Sequence, residues 1–238
     1  MKSSTKTSLK IRQGFGALNL CAAVGVSLIV ATLACGPASA QTPSAPSSPA
    51  AAAQPASAPA LDLTGFRAAL FGMSETEVRG AIAKDFGATT SIVTSQNGGE
   101  HTQVLTISAP DVLPEGGTAK VSYIFGYKTK KLIEVGVLWS KATDEKMTPE
   151  RLVSNADTLR AYFQTAGYKS DTIAENTAVA NGVLMFRGAD AAGHTTILLL
   201  QGVADNKSPR TFSPAAVSLF YLADAKNPDV YRVQPGKF

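Results

Sequence analysis

Two short amphipathic segments, each followed by several alternating segments, constrain the fold of this chain more than any other feature of its sequence. The first begins at Ser74, which Glu77 follows three residues later. This spacing is typical of a capping box and predicts a helix that runs to about Phe86. The second begins at Thr148-Pro149, because threonine is a good helix cap and proline suits the first helical position. The sequence therefore predicts two helices, each followed by several strands.

The segments that follow the helices alternate apolar and polar residues, as half-buried strands do. A hairpin is predicted over 121–139, with its tip at 127–131. Short connections and meandering strands favour an α+β domain over 61–238, with an antiparallel sheet and helices packed on one face. Tandem helix-plus-meander halves, 61–145 and 146–238, are one interpretation of this order. The other predicted strands are Ser91–Thr94, Thr102–Ser108, Gly182–Arg187, Thr195–Val203 and Ala215–Ala223.

Residues 1–40 have the features of a bacterial signal peptide. A basic start precedes an almost entirely apolar stretch from Ala17 to Ala34, and residues 38–40 are small enough for cleavage after Ala40. An uncleaved membrane anchor is the alternative, although the apolar run is marginal for a span. Residues 41–60 contain only small, proline and uncharged polar residues, which predicts a disordered linker. We expect a periplasmic or secreted protein.

The basic character of the chain comes entirely from this leader. The chain has 22 Lys and Arg and 18 Asp and Glu, and the first forty residues hold four of the bases and none of the acids. The remainder is therefore neutral. Counterion release on nucleic acid requires a standing basic surface, so we expect no nucleic-acid partner.

Both cysteines, Cys21 and Cys35, also lie in the leader. After cleavage at Ala40 the protein has no thiol for a disulfide, a metal or a nucleophile. The sequence around Cys35, Thr-Leu-Ala-Cys-Gly, also resembles a bacterial lipobox, although Leu33 lies one position late. Lipidation of Cys35 would leave a membrane-anchored lipoprotein, and it is the alternative to release of a soluble protein.

Local signatures of catalysis are absent from the sequence. There is no GxSxG elbow, no Walker loop, no HExxH and no GxGxxG before a helix. His101 and His194 lie beside turn residues, where a solvated histidine is the usual outcome. We expect no cofactor and no metal site. The alternatives are an envelope hydrolase with dispersed carboxylates and a small-ligand binder with an aromatic-lined pocket. The aromatic residues considered for that pocket are Tyr123, Phe125, Trp139, Phe186, Phe220 and Tyr221.

The predicted hairpin tip carries a cluster of basic residues that is a candidate recognition patch. Tyr127, Lys128, Lys130 and Lys131 lie within five consecutive positions. Such a patch suits anionic lipid, lipopolysaccharide or an acidic partner. The alternative is that the lysines only keep the turn soluble and protect a strand edge.

The Gly-Met-Ser-x-x-x-Val start at Gly72–Val78, followed by a short helix and a meander, resembles two kinds of domain. These are the small envelope domains of the SmpA/OmlA (BamE) type and the related, duplicated β-lactamase inhibitor protein fold. This chain departs from them after the helix, where Phe86-Gly87-Ala88 stands in place of a common Gly-x-Pro. The resemblance implies a non-enzymatic module that binds another envelope protein or supports assembly.

Overall fold

The computed structural model describes residues 60–110, 112–204, 212–233 and 236. The predictions for the signal peptide, for the linker and for Cys35 lie outside these residues. The described chain contains a helix and a strand meander twice, preceded by a small two-stranded ribbon. The first part comprises β1 (Gly65–Phe66), β2 (Ala69–Leu70), α1 (Glu75–Phe86), β3 (Val93–Asn97), β4 (Thr102–Ala109), β5 (Ala119–Phe125) and β6 (Leu132–Ser140). The second comprises α2 (Pro149–Gln164), β7 (Ala174–Val179), β8 (Gly182–Ala189), β9 (Thr195–Ala204) and β10 (Phe212–Leu222).

Helix α1 begins where the capping box predicts. The Glu77 carboxylate accepts hydrogen bonds from the Ser74 hydroxyl at 2.6 Å and from the Ser74 backbone nitrogen at 2.7 Å. These bonds lower the pKa of Glu77. Gly87 follows the last turn with a φ of 97°, a left-handed value that glycine adopts readily. The helix buries one apolar face, formed by Val78, Ala81 and Ile82.

Helix α2 also begins at its predicted cap, because the Thr148 hydroxyl accepts a hydrogen bond from the Arg151 backbone nitrogen at 3.3 Å. It packs on β8, β9 and β10. Its apolar stripe recurs at helical spacing, which places those side chains together against the sheet. The buried members are Leu152, Ala156, Leu159 and Phe163.

The eight strands form one antiparallel sheet in the order β3-β4-β5-β6-β10-β9-β8-β7. Each half contributes a four-stranded meander, and the last strands of the two meanders, β6 and β10, pair with Val137 opposite Leu219. The α+β prediction, with an antiparallel sheet and helices packed on one face, is therefore confirmed. One strand of this sheet was not predicted: β7 (AENTAV) is half polar and lies at the sheet edge, where alternation gives little signal. The short strands β1 and β2 of the ribbon were not predicted either.

The core lies between the sheet and the two helices. Ile107, Val121 and Val137 are register neighbours on β4, β5 and β6, and all three are buried. Because side chains alternate along a strand, the residues between them face the opposite side of the sheet. The largest fully buried side chains on the helix side include Trp139, Tyr123, Phe125, Phe163 and Phe186.

Candidate functional site

The face of the sheet that points away from the helices is the main candidate surface, and we call it the open face. No helix or strand of the described residues lies over it. It nevertheless carries large apolar side chains from five adjacent strands. These half-buried residues are Val104, Ile124, Leu138, Ile197, Leu199, Phe220 and Leu222.

The polar groups of the open face are few and partly paired with one another. Near its centre the Ser218 hydroxyl donates a hydrogen bond to the Gln201 side chain at 2.7 Å. The hydroxyls of Thr106 and Ser122 lie 3.4 Å apart on neighbouring strands. Other polar groups of the face are unpaired, since the buried hydroxyls of Thr102 and Ser140 have no hydrogen-bond partner among the described residues. The face as a whole is a contiguous apolar area, and such areas usually mark binding surfaces.

Glu134 is an ionisable group within this apolar area. It lies on β6 between Ile124 of β5 and Leu222 of β10. Burial raises the pKa of Glu134 to about 7, and the negative charge of Glu100 adds to the rise. Burial also raises the pKa of Glu100, which accepts a hydrogen bond from the Asn97 side chain at 2.9 Å. Glu134 has no hydrogen-bond or ion-pair partner among the described residues.

Sequence reasoning missed Glu134, although a signal was present. The segment Leu132–Ser140 is apolar at nearly every position, which indicates a strand with apolar side chains on both faces. A lone glutamate inside such a run is a candidate for a buried carboxyl that has no hydrogen-bond or ion-pair partner.

The predicted hairpin tip exists and forms the connection between β5 and β6. Lys128, Lys130 and Lys131 are exposed, whereas Tyr127 is half-buried. The Lys130 ammonium nitrogen lies 5.3 Å from the centre of the Tyr127 ring, within the range of a cation–π contact. The structure therefore brings Tyr127 and Lys130 together and leaves the other two lysines in solvent.

Asp229 and Tyr231, near the C-terminus, pack against this hairpin tip. The His101 ring stacks on Tyr231 with centres 4.3 Å apart, and Tyr127 meets both rings edge-on. The Tyr127 backbone nitrogen donates to the Asp229 carbonyl at 2.8 Å, and the Tyr231 nitrogen donates to the Glu100 carbonyl at 2.9 Å. His101 is thus part of an aromatic cluster with a structural function.

The Asp229 carboxylate binds the tip directly. It accepts hydrogen bonds from the Thr129 hydroxyl at 2.7 Å, from the Thr129 backbone nitrogen at 2.8 Å and from the Lys128 backbone nitrogen at 3.1 Å. Burial opposes ionisation of this carboxyl, but the hydrogen bonds outweigh it and lower the pKa of Asp229. The tip amides, which could have received an external anion, are therefore satisfied by the protein's own carboxylate.

The second histidine is also partnered rather than freely solvated, which differs from the expectation. The ring nitrogen Nδ1 of His194 lies 3.1 Å from a carboxylate oxygen of Asp190, which also accepts the Leu63 backbone nitrogen at 2.9 Å. Asp190 is almost fully buried. Burial opposes ionisation, but the hydrogen bonds from Leu63 and His194 prevail and lower the pKa of Asp190. The pair fastens the start of the domain to the turn between β8 and β9.

The aromatic residues considered for a ligand pocket lie in different parts of the described domain. Tyr123, Phe125, Trp139 and Phe186 are core residues, and Phe220 lies on the open face. Tyr221 alone lines a cleft of about 240 Å³, which is bordered by β1, α2 and Arg67.

Among the described residues, no three His, Cys, Asp or Glu side chains are arranged to hold a metal ion. Neither described helix has the length and apolarity that crossing a bilayer requires. No protein-family model, no curated protein and no solved structure matches the chain.

Proposed function

We propose that this protein is a non-catalytic module of the cell envelope that binds another protein through the open face of its sheet. The observation that carries the proposal is an apolar sheet face that lacks a covering layer in the described part of the chain. Exposing a contiguous apolar surface costs free energy in water, and such surfaces usually mark binding sites. The envelope location rests on the leader at residues 1–40 and the uncharged segment that follows it.

The resemblance to SmpA/OmlA-type domains and to the duplicated inhibitor fold belongs to the same proposal. A helix followed by four strands, present twice in one sheet, supports it. A tandem duplication would explain why both helices lie on one side and leave the opposite face of both halves open.

Photo-crosslinking in living cells tests the proposed function. A photoreactive amino acid at Leu199, in the centre of the open face, should give a discrete crosslinked species in the envelope fraction. The same amino acid at Val153, an exposed position of α2, serves as the matched control. Crosslinking from Val153 but not from Leu199 would contradict the proposal.

An anionic membrane surface is the second partner that we propose, through Lys128, Lys130 and Lys131. Because Asp229 occupies the backbone amides of the tip, only the lysine side chains remain for lipid phosphates. Binding should therefore be weak and should fall with salt. Replacing the three lysines by glutamate should abolish sedimentation with anionic vesicles, while neutral vesicles give the background; unchanged sedimentation would refute this contact.

A hydrolase is the candidate from another class, and one observation favours it. Glu134 has a raised pKa close to Glu100, as a general acid does. Both carboxyls, however, belong to the open sheet side and not to the cleft beside α2. Any glycan-hydrolysing activity of the purified protein that Glu134→Gln abolishes would favour the enzyme over the binding module.

A further inference from the structure

The open face carries charges of both signs at separate positions. Glu134 and the nearby Glu100 supply negative charge at one end of the strands. Lys120 projects from the same face toward the other end, because it pairs with Leu138, four positions along β6 from Glu134. At about 3.3 Å per residue, the two groups are roughly 13 Å apart along the strands. Neither forms an ion pair within the described residues.

Glu134 and Lys120 are complementary between two copies of this face. Two copies can face each other about a two-fold axis that lies in the plane between their sheets, runs perpendicular to the strands and passes over Gly136. This axis places each strand opposite the same strand of the other copy, with its two ends exchanged. It places Lys120 of each copy opposite Ile124 of the other, one strand spacing of about 4.8 Å from Glu134. Face-to-face sheets lie about 10 Å apart. An extended lysine side chain from one sheet and a glutamate side chain from the other are together long enough for their charged groups to meet across this gap. Arg187 of β8 lies in the same row as Gly136, through Ile197 and Phe220, so it faces its own copy at the rim of the apolar area.

The centre and the size of the surface fit the same geometry. Gly136 lies at the midpoint between Glu134 and Leu138, and the Phe220 ring leans over it, 3.5 Å from the place of a Cβ atom. The absence of a side chain at Gly136 therefore makes room for the Phe220 ring at the axis position. The five strands from β4 to β9 in sheet order span roughly 24 Å across, and about seven residues of each span roughly 24 Å along the strands. The resulting area of about 580 Å² is near the lower end of the ~600–1,000 Å² that each partner buries in a standard interface, which fits a reversible dimer.

We infer that the protein bound by the open face is a second copy of this chain, held face to face with Glu134 of each copy paired to Lys120 of the other. The inference rests on the proposed function and names the occupant of that surface. The apolar residues between the two ion pairs form the centre of the interface, and the ion pairs fix its register.

Analytical ultracentrifugation of the chain purified from the envelope fraction tests the inference. We expect a reversible dimer. Glu134→Lys and Lys120→Glu should each raise the dimer dissociation constant about tenfold or more, because each puts like charges together. The double variant restores opposite charges and should return to within about threefold of the parent. Lys169→Glu, at an exposed position outside the sheet, is the charge-matched control.

Folding is checked independently. Circular dichroism should show the same spectrum for all variants. If a charge-reversal variant does not fold, the neutral variant at the same position, Glu134→Gln or Lys120→Ala, is measured in its place. Leu199→Lys should abolish the dimer.

Other outcomes overturn the inference in distinguishable ways. A monomer at every concentration, with a Leu199 crosslink to a different protein, refutes the second copy and leaves the proposed function standing. A monomer with no Leu199 crosslink refutes both. A dimer that withstands Leu199→Lys and both charge reversals uses another surface and refutes the inference.

Discussion

The contact between Asp229 and the hairpin tip gives the sharpest stability prediction. Asp229 receives two backbone N–H groups and one hydroxyl from Lys128 and Thr129. Gly126 makes this approach possible, because a Cβ atom there would lie 2.3 Å from the Asp229 carboxylate. Asp229→Ala removes the acceptor, whereas Gly126→Ala leaves it in place and blocks its approach. Both variants should therefore lose the same interaction.

The expected loss follows from the hydrogen bonds. A hydrogen bond to a charged group contributes about 1.5–3 kcal/mol when it is well shielded from water. This contact is exposed, so water partly replaces the lost acceptor, and we expect about 1.5–2 kcal/mol in total. For a domain of this size that corresponds to a fall in Tm of roughly 4–6 °C. The pKa of Asp229 is lowered in the folded state, so its contribution should disappear as pH falls below about 4.

Urea denaturation of the parent, the two single variants and the double variant provides the assay. Because both changes remove one contact, the double variant should be little worse than either single variant. Gly80→Ala is the matched control, since a Cβ atom on Gly80 of α1 meets nothing within 4 Å. It should be neutral or stabilising by up to about 1 kcal/mol. Strictly additive losses, or no loss in Asp229→Ala, would refute the reasoning.

Three further predictions concern other parts of the chain. Between about pH 4.5 and 7 the Glu134 carboxyl keeps its proton in the folded state and releases it in the unfolded state, so the free energy of unfolding of the parent should fall as pH rises, by up to about 3 kcal/mol. Glu134→Gln should remove this fall, which urea titrations at several pH values measure. Tyr123→Phe should be neutral or stabilising by about 1 kcal/mol in the same assay, because the buried Tyr123 hydroxyl has no hydrogen-bond partner among the described residues; a large loss would show that the hydroxyl is satisfied. Metabolic labelling with a fatty acid should be lost in Cys35→Ala if the chain is a lipoprotein, and the absence of label in the parent favours cleavage after Ala40.

Local sequence signals predicted the elements of this fold well where the signal depends on neighbouring residues. The capping box at Ser74 and Glu77 and the Thr148-Pro149 pair each located the start of a helix to within a residue. The hairpin tip at 127–131 was also found, because its flanking strands alternate cleanly. The strand Ala174–Val179 was not found, since an edge strand with two solvated faces does not require an apolar period.

The contacts that define the candidate site depend on residues far apart in sequence. Asp229 binds a tip 100 residues before it, and Leu63 binds Asp190 across 127 residues. Nothing local distinguishes Asp229 from any other aspartate in a loop. The proximity of Glu100 and Glu134 likewise follows from strand register, which the sequence does not specify without the partner strand.

The apolar character of the open face is difficult to explain by folding alone. The opposite face already buries Trp139, Tyr123 and Phe125 against two helices, so the domain has a complete core. An antiparallel sheet with one solvated face normally places polar residues there, yet Ile197 and Leu199 occupy consecutive open-face positions of β9. If Leu199 served only to stabilise the monomer, Leu199→Thr should lower the monomer's free energy of unfolding and leave association unchanged. If the face is an interface, the same change should leave the monomer's free energy of unfolding nearly unchanged but weaken association, and this separation of the two free energies identifies the reason for the apolar face.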